Sequence, residues 1–491
     1  MNNLRDVRRV WALFFFCLLL FLLWVTDFSR LKGYEVGLLL ELDPLTALAT
    51  FFTSRTLYLG LALALAILIP TLFLGRFFCS WICPLGSLNQ FLSYFFNRKR
   101  PSEEYERNRY RPWYRIKYYL LAVLILLAGF GALQIGLLDP IALVYRSFII
   151  ALIPAGEHRI YQGGVLVGAL LILLLLSNRF ITRFWCRTLC PLGALLGFFS
   201  QWSLLRIRRD VEKCVGCGKC LYACQGAADP DSRVRHTECL VCFNCVAACG
   251  EGALHYGLAR ERSSVGRPLD MERRRLAESV AVGLLALPVL KGSLSARSVV
   301  AAEVIRPPGA LTEVDFLARC IKCGLCMRVC PTHVLQPALL EAGLEGLWTP
   351  LLINTVGYCE HHCVLCGQVC PTAAIRPITV PEKVGVKPFA GPIRIGTAFF
   401  ERGRCLPWAM DVPCIVCEEM CPTSPKAIWY ETVEVTGREK DRKVTLKRPF
   451  VQPDLCIGCG ICENKCPVVG KAAIRVSSVG ESRSRENRML L

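Results

Sequence analysis

Neither a CxxCH segment nor a GxGxxG turn occurs anywhere in the 491 residues. The first absence excludes covalently attached c-type haem. The second, together with the lack of a recognisable flavin segment, argues against direct nicotinamide or flavin chemistry. Acidic residues are scarce as well: 39 Asp and Glu stand against 58 Lys and Arg, for a net charge of +19. Such an excess can mark a nucleic-acid binder, but its placement here excludes that reading. Arg5, Arg8 and Arg9 precede the first long apolar stretch. Arg98, Lys99, Arg100, Arg107, Arg109, Arg111, Arg115 and Lys117 lie between the second and third, and Arg206, Arg208 and Arg209 follow the fourth. The other two loops are poorer in basic residues, so the charge reads as membrane topology, with the basic loops and the N-terminus cytoplasmic.

The apolar stretches run from Val10 to Phe28, Leu57 to Leu74, Tyr118 to Leu138 and Gly163 to Ser177, the last extended by Phe180, Ile181, Phe184 and Trp185. Each is close to the length needed to cross a hydrocarbon layer of about 30 Å. A mean hydropathy of +0.41 agrees. The sequence therefore predicts an α-helical membrane bundle of four spans.

Cysteine is what the chain has in excess, with 29. Four groups follow CxxCxxCxxxC: Cys214, Cys217, Cys220, Cys224; Cys239, Cys242, Cys245, Cys249; Cys320, Cys323, Cys326, Cys330; and Cys456, Cys459, Cys462, Cys466. Two more are stretched at the front: Cys359, Cys363, Cys366, Cys370 and Cys405, Cys414, Cys417, Cys421. Three thiolates two residues apart grip three corners of a [4Fe-4S] cube, while the fourth is aimed at a second cube. Structural zinc uses two CxxC knuckles without a regular third cysteine, and thiols two residues apart in a loop pair poorly as disulfides. Six [4Fe-4S] clusters in α+β ferredoxin-type domains are the expectation. In the first pair, Cys249 joins Cys214, Cys217 and Cys220, and Cys224 joins Cys239, Cys242 and Cys245.

The membrane part carries an internal duplication. Asp43-Pro44-Leu45-Thr46-Ala47-Leu48 answers Asp139-Pro140-Ile141-Ala142-Leu143, and GRFFCSWICPLGSL (Gly75 to Leu88) answers TRFWCRTLCPLGAL (Thr182 to Leu195). Each copy is read as a hairpin that leaves through one span, turns over an Asp-Pro segment on the outer side and returns to a CxxxCP motif. Parallel repeats of this kind are related by a pseudo-two-fold along the membrane normal. The symmetry places Cys79, Cys83, Cys186 and Cys190 at matching depths near the cytoplasmic face. A further cluster, a redox-active dithiol and a structural role all stay open for them. Cys17, alone within the first span, reads as a buried inert thiol.

Beyond the second cysteine group, Arg273, Arg274 and Arg275 lead into the apolar run Ala281 to Leu290, closing near Ser295 and Ala296. This has the shape of an internal signal segment, with a surface or buried helix as the alternative. If it crosses, the later clusters lie outside the cytoplasm. The domain plan is then residues 1–205 as the membrane part with two CxxxCP motifs and 206–258 as a two-cluster ferredoxin. Residues 259–300 form a basic linker with a short apolar helix, 301–475 a four-cluster ferredoxin, and 476–491 a Ser-, Arg- and Glu-rich tail expected to be disordered. A strand pair is expected at Thr432 to Thr436 and Lys443 to Leu446. His361 and His362 read as solvated loop residues.

The two CxxxCP motifs, four spans and two-cluster ferredoxin of the first 256 residues resemble the membrane ferredoxin-type H subunit of the periplasmic nitrate reductase electron-supply system. From about residue 270, the basic signal, the RPPGAL segment and four clusters resemble its exported G subunit and the methylamine-utilisation ferredoxins. The resemblance implies a fusion of the two in a prokaryotic cell membrane, with the first ferredoxin cytoplasmic and the four-cluster part on the outer side. It further implies electron flow between membrane quinone or quinol and a separate haem protein or reductase. By analogy with four-cluster ferredoxins, Cys466 would complete the cube begun by Cys320, and Cys330 the one begun by Cys456, with Cys370 and Cys421 exchanged likewise. Glu35, Glu41, Asp43, Asp139, Glu157 and His158 are the outer-loop candidates for accepting a quinol proton. Asp43 and Asp139 also suit helix caps. A second resemblance, to a CxxxCP protein that assists copper insertion into an oxidase, implies a metal-reducing or assembly role. A redox sensor is the third class, for which six clusters are excessive.

Overall fold

The computed structural model describes residues 2–31, 33–55, 60–96, 101–152, 162–258, 271–292, 304–436, 443–484 and 487. The duplication is plain in the helices. The first repeat contains α1 (Asn2–Val25), α2 (Pro44–Ser54), α3 (Gly60–Leu74) and α4 (Pro84–Phe96). The second contains α5 (Ile116–Gly129), α6 (Pro140–Leu152), α7 (Gln162–Leu176) and α8 (Pro191–Ser200).

Among the described residues, only α1 is long and apolar enough to cross a bilayer unaided, through Leu4–Val25. At 1.5 Å per residue, α3, α5 and α7 reach about 21 to 23 Å. Among the described residues these three helices are shorter than a full span. The expected third span, Tyr118 to Leu138, is interrupted because α5 ends at Gly129. Gly131, at φ +81°, closes its C-terminus while the Ala132 N–H returns to the Leu127 carbonyl, and the chain resumes as the short helix Ile135–Leu138.

The Asp-Pro segments are not outer loops. Asp43 and Asp139 are fully buried, and each starts a helix with proline at its first position. Asp43 accepts from the Leu45 and Thr46 N–H groups at 3.0 and 3.3 Å. Asp139 accepts from Ile141 and Ala142 at 2.9 and 2.8 Å. The polar groups of the bundle face inward, as in the Asn178 to Asn89 side-chain hydrogen bond of 2.7 Å. Large apolar side chains face out, among them Phe14 and Phe21 of α1, Ile69 of α3 and Leu173 of α7. Cys17, expected to be buried, is exposed on this outer side of α1.

One end of the bundle carries the first ferredoxin unit, closed by antiparallel β1 (Leu205–Arg209) and β2 (Leu254–Leu258). Lys117 at the start of α5 pairs with Glu238, and Ser80 Oγ donates to the Leu240 carbonyl at 2.7 Å. From there α9 (Arg273–Gly292) runs beside α5 along its whole length. The Glu272 N–H donates to Tyr119 Oη at one end, Gly283 lies against Leu126 and Val123, and Lys291 reaches the Phe130 carbonyl at the other end. Ser295 and Ala296 lie outside the described residues.

The opposite end carries the four-motif unit. It opens with α10 (Glu313–Arg319) and, among the described residues, contains three antiparallel strand pairs: β3 (Leu335–Pro337) with β4 (Pro350–Leu352), β5 (Thr397–Phe400) with β8 (Ile474–Ser477), and β6 (Ile428–Thr436) with β7 (Lys443–Val451). The expected hairpin is present and longer than foreseen, in register from Ile428↔Val451 to Thr436↔Lys443. The unit docks through Thr53 Oγ1 to the Ala318 carbonyl at 2.6 Å, Arg146 to the Lys322 carbonyl at 3.3 Å, and Lys322 Nζ to Gln134 at 2.8 Å. The tail is ordered where described: Ser478 is buried and Arg483 pairs with Glu313 at 2.8 Å. Its charges find partners on the fold, which composition alone does not show.

Candidate metal centre

The compact cysteine groups share a backbone curl. Gly216, Val241, Lys322 and Gly458, immediately before the second cysteine, all have positive φ. So do Gly218, Phe243, Gly324 and Gly460, just after the second cysteine. Each second residue opens a one-turn helix that carries the third cysteine. In the two stretched groups β-branched Val364 and Ile415 occupy that place, at φ −132° and −133°. β-Branched residues disfavour the left-handed region, and the extra residues at the front of these groups supply another approach to the same loop.

The curl gathers the sulfurs into cavities, and the lining shows which motifs cooperate. Cys320, Cys323 and Cys326 line one cavity with Cys370, while Cys359, Cys363 and Cys366 line the next with Cys330. Cys456, Cys459 and Cys462 meet Cys421, and Cys405, Cys414 and Cys417 meet Cys466. The pairing thus runs between neighbours in sequence, which overturns the first-with-last exchange expected from four-cluster ferredoxins. A fourth cysteine is aimed only as far as its short turn allows, and the next motif along the chain is what folds against it. Three cysteines of one motif and one of its neighbour recur in all four cavities.

In the first ferredoxin unit Cys214, Cys217, Cys220 and Cys249 line a wider cavity, as expected. Cys224, Cys239 and Cys242 surround Cys245, also as expected. Among the described residues no group of three or more His, Cys, Asp or Glu closes tightly enough to hold a single metal ion.

The donor set fits an iron-sulfur cage. Burial pushes the Cys320 thiol up to about 11 and the Cys417 thiol up to about 12, so a bound cation is what would keep these sulfurs as thiolates at neutral pH. Backbone N–H groups already point at them: Ala228 at Cys224, Ala398 at Cys456 and Ala473 at Cys466, at 3.3, 3.4 and 3.4 Å. Hydrogen bonds to sulfur tune cluster potentials. His361 and His362 stack edge to face at 4.7 Å, and neither lines the adjoining cysteine cavity.

The CxxxCP cysteines converge. Cys79, Cys83, Cys186 and Cys190 are all buried and unpaired, and they lie within electrostatic reach of one another. Each sulfur receives a donor. Arg76 Nε reaches Cys79 at 3.3 Å, the Gly86 N–H reaches Cys83, Asn89 Nδ2 reaches Cys186 at 3.6 Å, and the Gly193 N–H reaches Cys190 at 3.2 Å. Four convergent sulfurs, each hydrogen-bonded, match what a cluster asks of its ligands.

Among the quinol candidates, Asp43 and Asp139 are sealed in the bundle and hydrogen-bonded to each other. Glu35 and Glu41 lie near one another at its edge, raising the Glu41 carboxyl through burial and the Glu35 charge. Glu157 and His158 lie outside the described residues. Sequence reading passed over Arg76 and Arg183, although the recurring Arg-Phe-x-Cys of both repeats was their signal.

Comparisons with known proteins agree with this chemistry. A family model described as a 4Fe-4S binding domain matches residues 56–103 and 162–210, which contain the two CxxxCP motifs. A second model of the same description matches 316–336 and 449–469. Methylamine utilization ferredoxin-type protein MauM of Methylorubrum extorquens is 36% identical over 43% of this chain and 91% of its own length. Ferredoxin-type protein NapG of Escherichia coli is 32% identical over 44% of the chain and 88% of its own. The putative electron transport protein YccM of Escherichia coli is 33% identical over 39% of the chain and 53% of its own. No solved structure matches the chain. Iron-sulfur sites, four-cysteine cavities and these relatives together place the chain in the family of ferredoxin-type 4Fe-4S electron-transfer proteins that includes MauM and NapG.

Proposed function

We propose that this protein is a membrane-bound conduit that passes electrons between the quinone pool and an external redox partner through six [4Fe-4S] clusters and one further iron-sulfur centre at Cys79, Cys83, Cys186 and Cys190. The observation that carries the reading is the order of the cysteine sites along the molecule. The Cys214 and Cys239 sites share ligands through Cys249 and Cys224. Next come the CxxxCP cysteines, joined to the Cys239 loop through Ser80 and through Trp81, which donates to the Val241 carbonyl at 3.2 Å. At the other end of the bundle Tyr145 lies near Cys323 of the Cys320 site. That site shares ligands with the Cys359 site, whose Cys359 N–H donates to the Cys459 carbonyl at 2.8 Å. The Cys456 and Cys405 sites complete the line. When bound, each cluster supplies a one-electron carrier, and the protein supplies potential and spacing.

Outward apolar faces on α1, α3, α7 and α9 support a lipid environment, since patches of this extent are rare on soluble proteins. The course of α9 beside α5 supports a crossing that puts the two ferredoxin units on opposite sides of the membrane. Reporter fusions after Tyr256 and after Ile305 test it: activity on the same side for both ends this topology. Iron and sulfide analysis with EPR on anaerobically purified protein tests the cluster count. Reduced quinol added to the protein in liposomes tests the donor, and clusters that no quinol reduces would remove the quinone pool from the proposal.

A further inference from the structure

Arg76 and Arg183 occupy the same place in the two repeats, three residues before the first cysteine of each CxxxCP motif. Both are buried, at 1% and 0% exposure. Each crosses the pseudo-two-fold to the other repeat. Arg76 Nη2 donates to the Cys186 carbonyl at 3.3 Å, and Arg183 Nη1 to the Cys79 carbonyl at 3.5 Å. Each also reaches the first ferredoxin unit. Arg76 Nη1 donates to the Thr237 carbonyl at 3.4 Å, two residues before Cys239. Arg183 Nε donates to Gln225 Oε1 at 3.1 Å, one residue after Cys224. The space for Arg76 is built: a Cβ on Gly193 would stand 2.2 Å from Arg76 Nη2.

We propose that Arg76 and Arg183 are a crossed guanidinium pair that positions the four CxxxCP cysteines and favours electron entry into the centre they hold from the neighbouring Cys224, Cys239, Cys242 and Cys245 cluster. The inference rests on the reading that these cysteines carry an iron-sulfur centre. In the step, one electron leaves the ferredoxin cluster, which is oxidised, and enters the CxxxCP centre, which is reduced. No bond forms or breaks and no proton moves, because a guanidinium stays charged. Four thiolates around an iron-sulfur core leave a net anion that reduction makes more negative. Two fixed cations in a buried, low-dielectric site therefore stabilise the reduced form more than the oxidised. Glu238, at 3.7 Å from Arg76, offsets part of this charge and is itself paired with Lys117. Arg8 adds a third guanidinium to the layer. It donates to Gln90 at 2.6 Å, Gln90 also accepts from Arg183, and its Nε and Nη2 have no partner among the described residues.

The test is an EPR-monitored redox titration of the full-length protein, following the signal that disappears when Cys79, Cys83, Cys186 and Cys190 become serine. Arg76→Gln and Arg183→Gln are each expected to lower its reduction equilibrium constant at least tenfold, about 59 mV for a one-electron couple. Arg76→Lys, which keeps the charge, is expected to recover most of that shift. Unchanged potentials in both glutamine variants with iron content intact would overturn the inference. So would iron lost in Arg76→Gln and regained in Arg76→Lys with no change of potential between the lysine variant, the Arg183→Gln variant and the parent, since that pattern means a purely structural role. If serine at all four cysteines removes neither iron nor any EPR signal, the CxxxCP centre itself is absent. That result is distinct from an intact centre with unmoved potential, and it overturns the inference together with the reading beneath it.

Discussion

The carboxyl groups of Asp43 and Asp139, one from each repeat, hydrogen-bond to each other inside the bundle. Each also caps the helix that follows it. The pair ties the two repeats together at one level, as the crossed arginines do at another.

Asparagine caps helices nearly as well as aspartate, whereas alanine does not. Asp139→Asn is expected to fold with little loss and Asp139→Ala to lose about 1 to 2 kcal/mol from the cap alone. Thermal unfolding in detergent, read by loss of the iron-sulfur absorbance, distinguishes them. Equal losses for the two variants would mean that capping contributes nothing.

The pairing of neighbouring motifs makes Cys466 a ligand of the Cys405 site and Cys370 a ligand of the Cys320 site. Cys466→Ser and Cys405→Ser are expected to remove the same EPR component, and Cys370→Ser the component lost in Cys320→Ser. A component shared instead by Cys466→Ser and Cys320→Ser would restore the first-with-last exchange.

Docking of the four-motif unit depends on Gly136. A Cβ there would stand 2.1 Å from the Ile321 carbonyl oxygen, while one on Gly168 of α7 would meet nothing within 4 Å. Gly136→Ala is expected to cost about 1 to 3 kcal/mol through overpacking and to raise hydrogen exchange across residues 318–328. Gly168→Ala serves as the neutral control. Equal protection in the two variants would show that this contact does not hold the interface.

Glu313 ties the start of the four-motif unit to its end, facing Arg306 at 2.6 Å and Arg483 at 2.8 Å. Burial alone would lift its carboxyl, but the two guanidiniums outweigh that and hold it down to about 2. A carboxyl depressed in the folded state contributes stability above its unfolded value, near 4.5, and loses it as pH falls toward 2. The parent is therefore expected to lose more thermal stability than Glu313→Gln over that window. Parallel curves for the two would contradict the coupling.

Much of the site was legible in advance because cysteine spacing is a local property. Three sulfurs on one tight loop need only the loop, so the triplets and the Cys224 and Cys249 exchange stood as expected. The destination of a fourth cysteine is not local where four motifs compete, and Cys370 joined the Cys320 group because the adjacent motif packs there. The Asp-Pro segments misled for a similar reason. A charged residue between apolar stretches reads as an exposed turn, but Asp43 and Asp139 each find a partner in the other repeat and two N–H groups in their own helix, so burial is tolerated. The stretch from Tyr118 to Leu138 reads as one segment because hydropathy counts apolar residues without seeing that Gly131 turns the chain beyond α5.

The sequence by itself determined the iron-sulfur chemistry, the duplication and the basic and apolar zones, all of which reside in residue type and spacing. Only the tertiary structure decided which motifs share ligands, that Arg76 and Arg183 cross between repeats, and that α9 runs beside α5 from one ferredoxin unit to the other. Those are contacts between residues up to hundreds of positions apart, and they are chosen by packing and the pairing of buried charge, which no local pattern encodes.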